Sequence, residues 1–127
     1  MPAQTEPMSN SSRHPVVHFE VLGRDAAALR RFYAEAFGWS LGPADESPLE
    51  YSMVHFDGTG IDGGIGKAPA GPGHVTFYVS VADLAAALSQ VEHLGGKTVQ
   101  PPMQLPGGPT FAMCADPEGH VVGLLQQ

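Results

Sequence analysis

A single cysteine, Cys114, leaves no intramolecular disulfide to form, so the core alone must hold the fold and a reducing compartment, the cytosol, is the expected location. Basic residues are also scarce. Six Lys and Arg against 13 Asp and Glu give a formal charge of -7, a surface that repels phosphate backbones and excludes nucleic acid as a partner. No apolar run approaches the roughly 20 residues that a membrane-spanning helix needs, which excludes a membrane partner of that kind. The stretch from Met1 to His14 lacks both the apolar core of a signal peptide and an amphipathic stripe, and reads as a disordered arm rich in Ser and Pro. Its Asn10-Ser11-Ser12 sequon has meaning only in a secreted protein.

The rest of the 127 residues, with a hydrophobic share of 43%, suffices for one domain over residues 15–127 with a real core. From Val16 to Leu22 apolar Val17, Phe19 and Val21 alternate with polar His18 and Glu20, the period-two pattern of a half-buried strand. Asp25 then supplies a capping oxygen to a helix in which Leu29, Phe32, Tyr33, Ala36 and Phe37 form an apolar stripe, ending at Gly38. Trp39 to Leu41, Tyr51 to Phe56 and Gly63 to Gly66 follow as short strands. After Ala70-Gly71-Pro72-Gly73 the pattern returns: Val75, Phe77 and Val79 on one face, His74, Thr76, Tyr78 and Ser80 on the other. Asp83 caps a second helix with Leu84, Ala87, Leu88, Val91 and Leu94 in its stripe, and Gly95-Gly96 stops it. Strands over Lys97 to Val99, Thr110 to Ala115 and His120 to Gln126 complete the half, the last two joined by a turn at Asp116-Pro117-Glu118-Gly119.

The halves repeat with 56 residues between His18 and His74, the mark of a duplicated supersecondary unit. The predicted fold is α+β: two consecutive βαβββ modules, over about residues 15–69 and 73–127, forming curved mixed sheets with helices outside and polar faces around a shared cup. Gly58, Gly60 and Gly63 spell G-x-G-x-x-G, but no helix pattern follows, so the nucleotide-binding reading fails on context. Cys114 lies in an apolar strand without a basic neighbour and reads as a packed thiol.

The sequence resembles the vicinal oxygen chelate superfamily, which includes glyoxalase I, bleomycin-resistance proteins and extradiol dioxygenases. The carriers are His18-Phe19-Glu20-Val21 with Asp25 and Phe32-Tyr33, then Phe37-Gly38-Trp39, His74-Val75-Thr76-Phe77, and the close Asp116-Pro117-Glu118-Gly119-His120-Val121-Val122-Gly123-Leu124. The resemblance implies a small-molecule site in the cup and a homodimer. It also implies metal ligands at the two first-strand positions, His18 and His74, whose imidazoles suit Zn, Ni, Fe or Mn. One departure stands out: Gly123 occupies the position where metal-dependent relatives carry a glutamate, so one ligand is missing. On the third strand of the first module Glu50 and His55 have opposite parity, and at most one of them faces the cup.

Glu20 is the expected general base or proton carrier. Tyr51, His55, Thr76, Tyr78, Phe111 and Met113 are the candidate lining, aromatic surface with a few hydrogen-bonding groups. Three functions are open to such a chain: a protein holding a small organic molecule without a complete metal site, a metal-dependent lyase, isomerase or dioxygenase using His18 and His74, and a non-catalytic interaction module.

Overall fold

The two aspartates that cap the helices show how locally the chain is encoded. In the computed structural model, which describes residues 13–127, Asp25 and Asp83 are extended and accept a bond from the backbone N–H three residues on, each at 3.0 Å. They open α1 (Ala26–Phe37) and α2 (Leu84–His93). Gly38 ends α1 in the left-handed conformation at φ 70°, which costs glycine nothing. Of the arm predicted over Met1 to His14, all but Arg13 and His14, together with the sequon, falls outside the described residues.

The strands are β1 (Val16–Gly23), β2 (Ser52–Val54), β3 (Gly63–Lys67), β4 (His74–Val81), β5 (Lys97–Gln104), β6 (Thr110–Ala115) and β7 (Val121–Gln126). With two helices they make an α+β fold. By their contacts the residues fall into two units, residues 17–78 and residues 79–127 with the segment up to Val16.

In the unit of residues 17–78 the strand order is β2-β3-β1-β4. β1 runs parallel to β3 with Glu20 opposite Gly64, and β2 runs antiparallel to β3 with Ser52 opposite Ile65. Helix α1 packs on β3, and Val21, Val54 and Ile65 form the core with Phe19, Leu29, Tyr33, Trp39, Leu41 and Phe56 around them. The predicted stripe of α1 is broader than the face that packs: Leu29 and Tyr33 turn inward, whereas Phe32 and Phe37 stay exposed. Two strand predictions also contract. Trp39 to Leu41 reduces to one bridge, Leu41 to Val54, because Trp39 stacks on Tyr33 at 5.2 Å and serves the core through its ring. The strand predicted over Tyr51 to Phe56 is only Ser52–Val54.

In the other unit the order β4-β7-β6-β5 is carried by antiparallel pairs of β7 with β6 and β6 with β5. Leu84 and Leu88 of α2 bury against Val81, Ala112, Cys114 and Leu124, worth about 2 kcal/mol per fully buried leucine. The predicted turn forms, with Asp116 C=O accepting from Gly119 N–H at 2.9 Å. β5 runs five residues past its predicted end through Pro101 and Pro102, with two register irregularities against β6. Prolines survive there because β5 is an edge strand whose outward N–H groups owe no ladder bond.

Candidate functional site

The polar face of the 17–78 unit is built by alternation along two neighbouring strands. His18 and Glu20 project from one face of β1; His74, Thr76 and Tyr78 project from one face of β4, the strand beside it. The sense of burial inverts the simple expectation. Thr76 and Tyr78 are each 7% exposed, whereas apolar Val75 and Phe77 on the opposite side are 74% and 42% exposed. The hydrogen-bonding face is the covered one.

Glu20, itself 7% exposed, is the centre. Its Oε1 accepts from the Tyr51 hydroxyl at 3.0 Å; its Oε2 accepts from the Tyr78 hydroxyl at 3.0 Å and lies 2.7 Å from His74 Nε2. Tyr51 continues the network to His18, whose Nε2 lies 2.8 Å from the phenol oxygen. The His18 ring stacks on Tyr51 at 6.3 Å and meets Tyr78 edge-on at 5.6 Å. Burial, reinforced by the Glu20 charge, pushes both phenols far above the ordinary tyrosine range, so both keep their proton and donate it to the carboxylate. Burial also lowers the His18 pKa from 6.5, against the opposing pull of Glu20, and favours the neutral ring. A carboxylate this enclosed is tolerable because both of its oxygens are hydrogen-bonded.

Tyr51 reaches Glu20 by means that sequence reasoning missed. Asp45 holds its backbone from two sides: Asp45 N–H donates to Tyr51 C=O at 2.9 Å, and Asp45 Oδ1 accepts from Tyr51 N–H at 3.1 Å. Beneath the ring run the glycines of β3. A Cβ at Gly64 would stand 2.0 Å from the Tyr51 ring, and one at Gly66 would stand 2.8 Å from Leu49 C=O. Gly64 and Gly66 thus make a bed for one tyrosine. Asp45-Glu46-Ser47 was a readable turn signal, with Ser47 N–H and Oγ both bonded to Asp45, but nothing local tied it to Tyr51.

The remaining predicted residues divide. His55 is exposed and its Nδ1 lies 3.2 Å from Asp62, whose other oxygen accepts from Phe56 N–H at 2.8 Å. That pair staples the 56–62 loop, and these bonds hold the Asp62 pKa below its usual value. Glu50 lies outside β2 at φ 47°, with its carbonyl bonded by Arg30, so strand parity governs neither it nor His55. Phe111 and Met113 belong to the other unit, on β6 opposite Leu125 and Gly123. Cys114 is buried there and its thiol is pushed up by burial and by Asp116. A shallow groove of about 350 Å³ lies among Phe19, Trp39, Phe56, Thr59, Gly60 and Ile61. It contains none of the network residues, and its rings belong to the aromatic packing around the core.

The donor set does not fit a divalent metal ion. Both Glu20 oxygens are engaged, the Nε2 atoms of His18 and His74 point at Tyr51 and Glu20, and Gly123 has no side chain to offer. Among the described residues no group of three or more His, Cys, Asp or Glu is placed to hold such an ion. Nor, among those residues, is any helix long and apolar enough to cross a membrane.

Strands bearing a helix on one face, repeated along the chain, match the architecture of a vicinal oxygen chelate protein. The chain belongs to the glyoxalase-like domain family, whose model matches residues 18–125. No curated protein matches it. Among solved structures it is similar to a glyoxalase/bleomycin resistance protein/dioxygenase superfamily member from Vibrio splendidus 12B01, at 20% identity over 90% of this chain and 99% of that one, TM-score 0.62. Methylmalonyl-CoA epimerase from Mycobacterium tuberculosis shares 14% identity over 87% of this chain and 86% of its own, TM-score 0.65. A variant of the Streptomyces coelicolor methylmalonyl-CoA epimerase, in complex with 2-nitronate-propionyl-CoA, shares 16% over 89% and 94%, TM-score 0.63. At these identities the likeness is one of fold.

Proposed function

We propose that the protein binds a small organic molecule over the face centred on Glu20, without a complete divalent metal site, and that Glu20 is the group that moves a proton there. The observation that carries this reading is the enclosed carboxylate bonded to two phenols and an imidazole. Stability does not account for such a network, since well-packed apolar residues of similar volume commonly serve a core as well or better. Perturbed, interconnected titratable groups are what proton-transfer sites need. Relatives of this fold are described with small-molecule ligands, methylmalonyl-CoA among them, which supports a small molecule as the partner class.

In this reading the phenols of Tyr51 and Tyr78 hold the carboxylate in place, and His18 and His74 form the margin that meets the ligand. The test begins with the metal content of protein prepared without chelator, for wild type and for His18→Ala and His74→Ala. The expected result is well under one equivalent in all three. One equivalent in wild type, lost in both variants, would replace the metal-free reading with a metal-dependent lyase, isomerase or dioxygenase. A thermal-shift screen of small molecules follows, since binding to the native state raises the melting temperature with occupancy. Hits should disappear in Glu20→Leu while persisting in a surface control such as Glu118→Gln. Hits indifferent to Glu20 would sink the proposal.

A further inference from the structure

We infer that the groove behind β1 is a second ligand site, separate from the Glu20 face, and that it takes an uncharged aromatic ring of a small molecule.

Alternation along β1 sets the two places apart. Phe19 stands between His18 and Glu20 in the strand, so its ring projects from the opposite face, the one that packs with the core under α1. There it meets Trp39 and Phe56. These three half-buried rings form one wall of the groove of about 350 Å³, and Thr59, Gly60 and Ile61 of the 56–62 loop form the other. That volume lies at the small end of the range of small-molecule sites.

The loop wall stands in place without a ligand. Asp62 Oδ1 accepts from Phe56 N–H at 2.8 Å, Phe56 C=O accepts from Thr59 N–H at 2.9 Å, and Asp62 C=O accepts from Phe19 N–H at 3.1 Å, which ties the far end of the loop back to β1. Asp57 and Gly58 turn the chain through the left-handed region, at φ 52° and 82°. A left-handed aspartate is a strained backbone that the surrounding bonds must hold. Those bonds present Ile61, 48% exposed, beside the rings. Folding has already ordered this isoleucine, so a ligand that covers it does not have to order it again.

The chemistry of the lining selects the occupant. None of the described residues around the groove carries a charge, and Thr59, its one polar side chain, spends its hydroxyl proton on Phe56 C=O. A charged group would lose water here and find nothing to replace it. The rings then separate flat groups from saturated ones. Phe19 is tilted 53° to Trp39 and 45° to Phe56, and Trp39 stands at 87° to Phe56, so no two of the three stack. Such a wall sets ring faces at an angle to ring edges, and a further aromatic ring fits it by offset or edge-to-face contact. Trp39 already accepts one ring in this way from the core, since Tyr33 stacks on it at 5.2 Å.

Trp39 is the chain's only tryptophan, so its indole N–H gives one proton–nitrogen NMR signal at the groove. The full chain is titrated with benzamide, cyclohexanecarboxamide and benzoate, which match in size and differ in aromaticity and charge. Benzamide should move the indole signal and bind about ten-fold tighter than either of the others, the difference that one or two good ring contacts make. Gly60→Leu should abolish binding by filling the groove from within; a Cβ at Gly60 meets the Phe56 ring at 3.6 Å, an ordinary contact that the fold accommodates. Ile61→Asp should weaken binding about five-fold through the apolar cover it removes. Glu20→Leu should leave it unchanged, which separates this site from the Glu20 face. An indole signal that benzamide does not move, a saturated amide or carboxylate that binds as tightly, or either loop variant binding like wild type would overturn the inference. So would a groove occupied by a second copy of the chain, seen as a dimer in sedimentation that Ile61→Asp dissociates and benzamide does not.

Discussion

The hydroxyl of Ser52 is wholly enclosed and, among the described residues, has no hydrogen-bond partner. It lies on β2 opposite Ile65, close to the most tightly buried residues of its unit. Burying an unbonded hydroxyl costs free energy that alanine would not incur, so Ser52→Ala should stabilise the protein by about 1 kcal/mol. A raised urea midpoint with an unchanged slope is the expected result, and a lowered midpoint would show that the hydroxyl is satisfied after all. Gly64 carries the opposite prediction. Its missing Cβ is the space occupied by the Tyr51 ring, and Gly64→Ala should cost about 1–3 kcal/mol as an overpacked site. Because the clash is with one side chain, the cost should shrink markedly in a Tyr51→Ala background. A double-mutant cycle on the two positions measures that coupling, and additive effects would mean that the ring is not the obstacle.

At the scale of the element, the helices depend on their caps. Asp25→Ala and Asp83→Ala each remove one bond to a first-turn N–H and should lower stability by about 1 kcal/mol, read as a drop in melting temperature that Asn at the same position largely restores. These caps, the helix ends and the repeated alternation of β1 and β4 were legible in the sequence because each is written within a few residues. His18, Glu20, His74 and Tyr78 could be placed on one kind of face for the same reason. What escaped was non-local. Tyr51 lies 31 residues from Glu20 and 33 from His18, and it meets them only because the glycines of β3 leave room for its ring. Trp39 carried a strand-like neighbourhood, yet its ring is recruited to Tyr33 and Phe19. The strand predicted over Lys97 to Val99 runs on to Gln104 through Pro101 and Pro102, because an edge position lets β5 carry them. Phe32 and Phe37 fitted a helical stripe but lie beyond the arc that β3 covers.

For the whole molecule, the shifted groups predict how stability responds to acid. His18 has a folded pKa below its ordinary 6.5, so the unfolded chain takes up that proton first. Its contribution is intact above pH 6.5 and is lost as pH falls from there through the folded value. Asp45, Asp62 and Asp116 also have folded pKa values below the ordinary 3.8, and their contributions persist until pH falls below about that value. Stability should therefore decline in two separate stages. His18→Gln should flatten the first and leave the second, as read from denaturation midpoints across pH; an unaltered first stage would assign it to another group.

The borders of the strand arrays have a consequence of their own. At one border stands β2, three residues long; at the other stands β5, interrupted by two prolines and two irregularities of register. Neither offers a straight run of free amides and carbonyls onto which a neighbouring polypeptide can knit. The usual route by which open sheets recruit one another into fibres is thereby disfavoured.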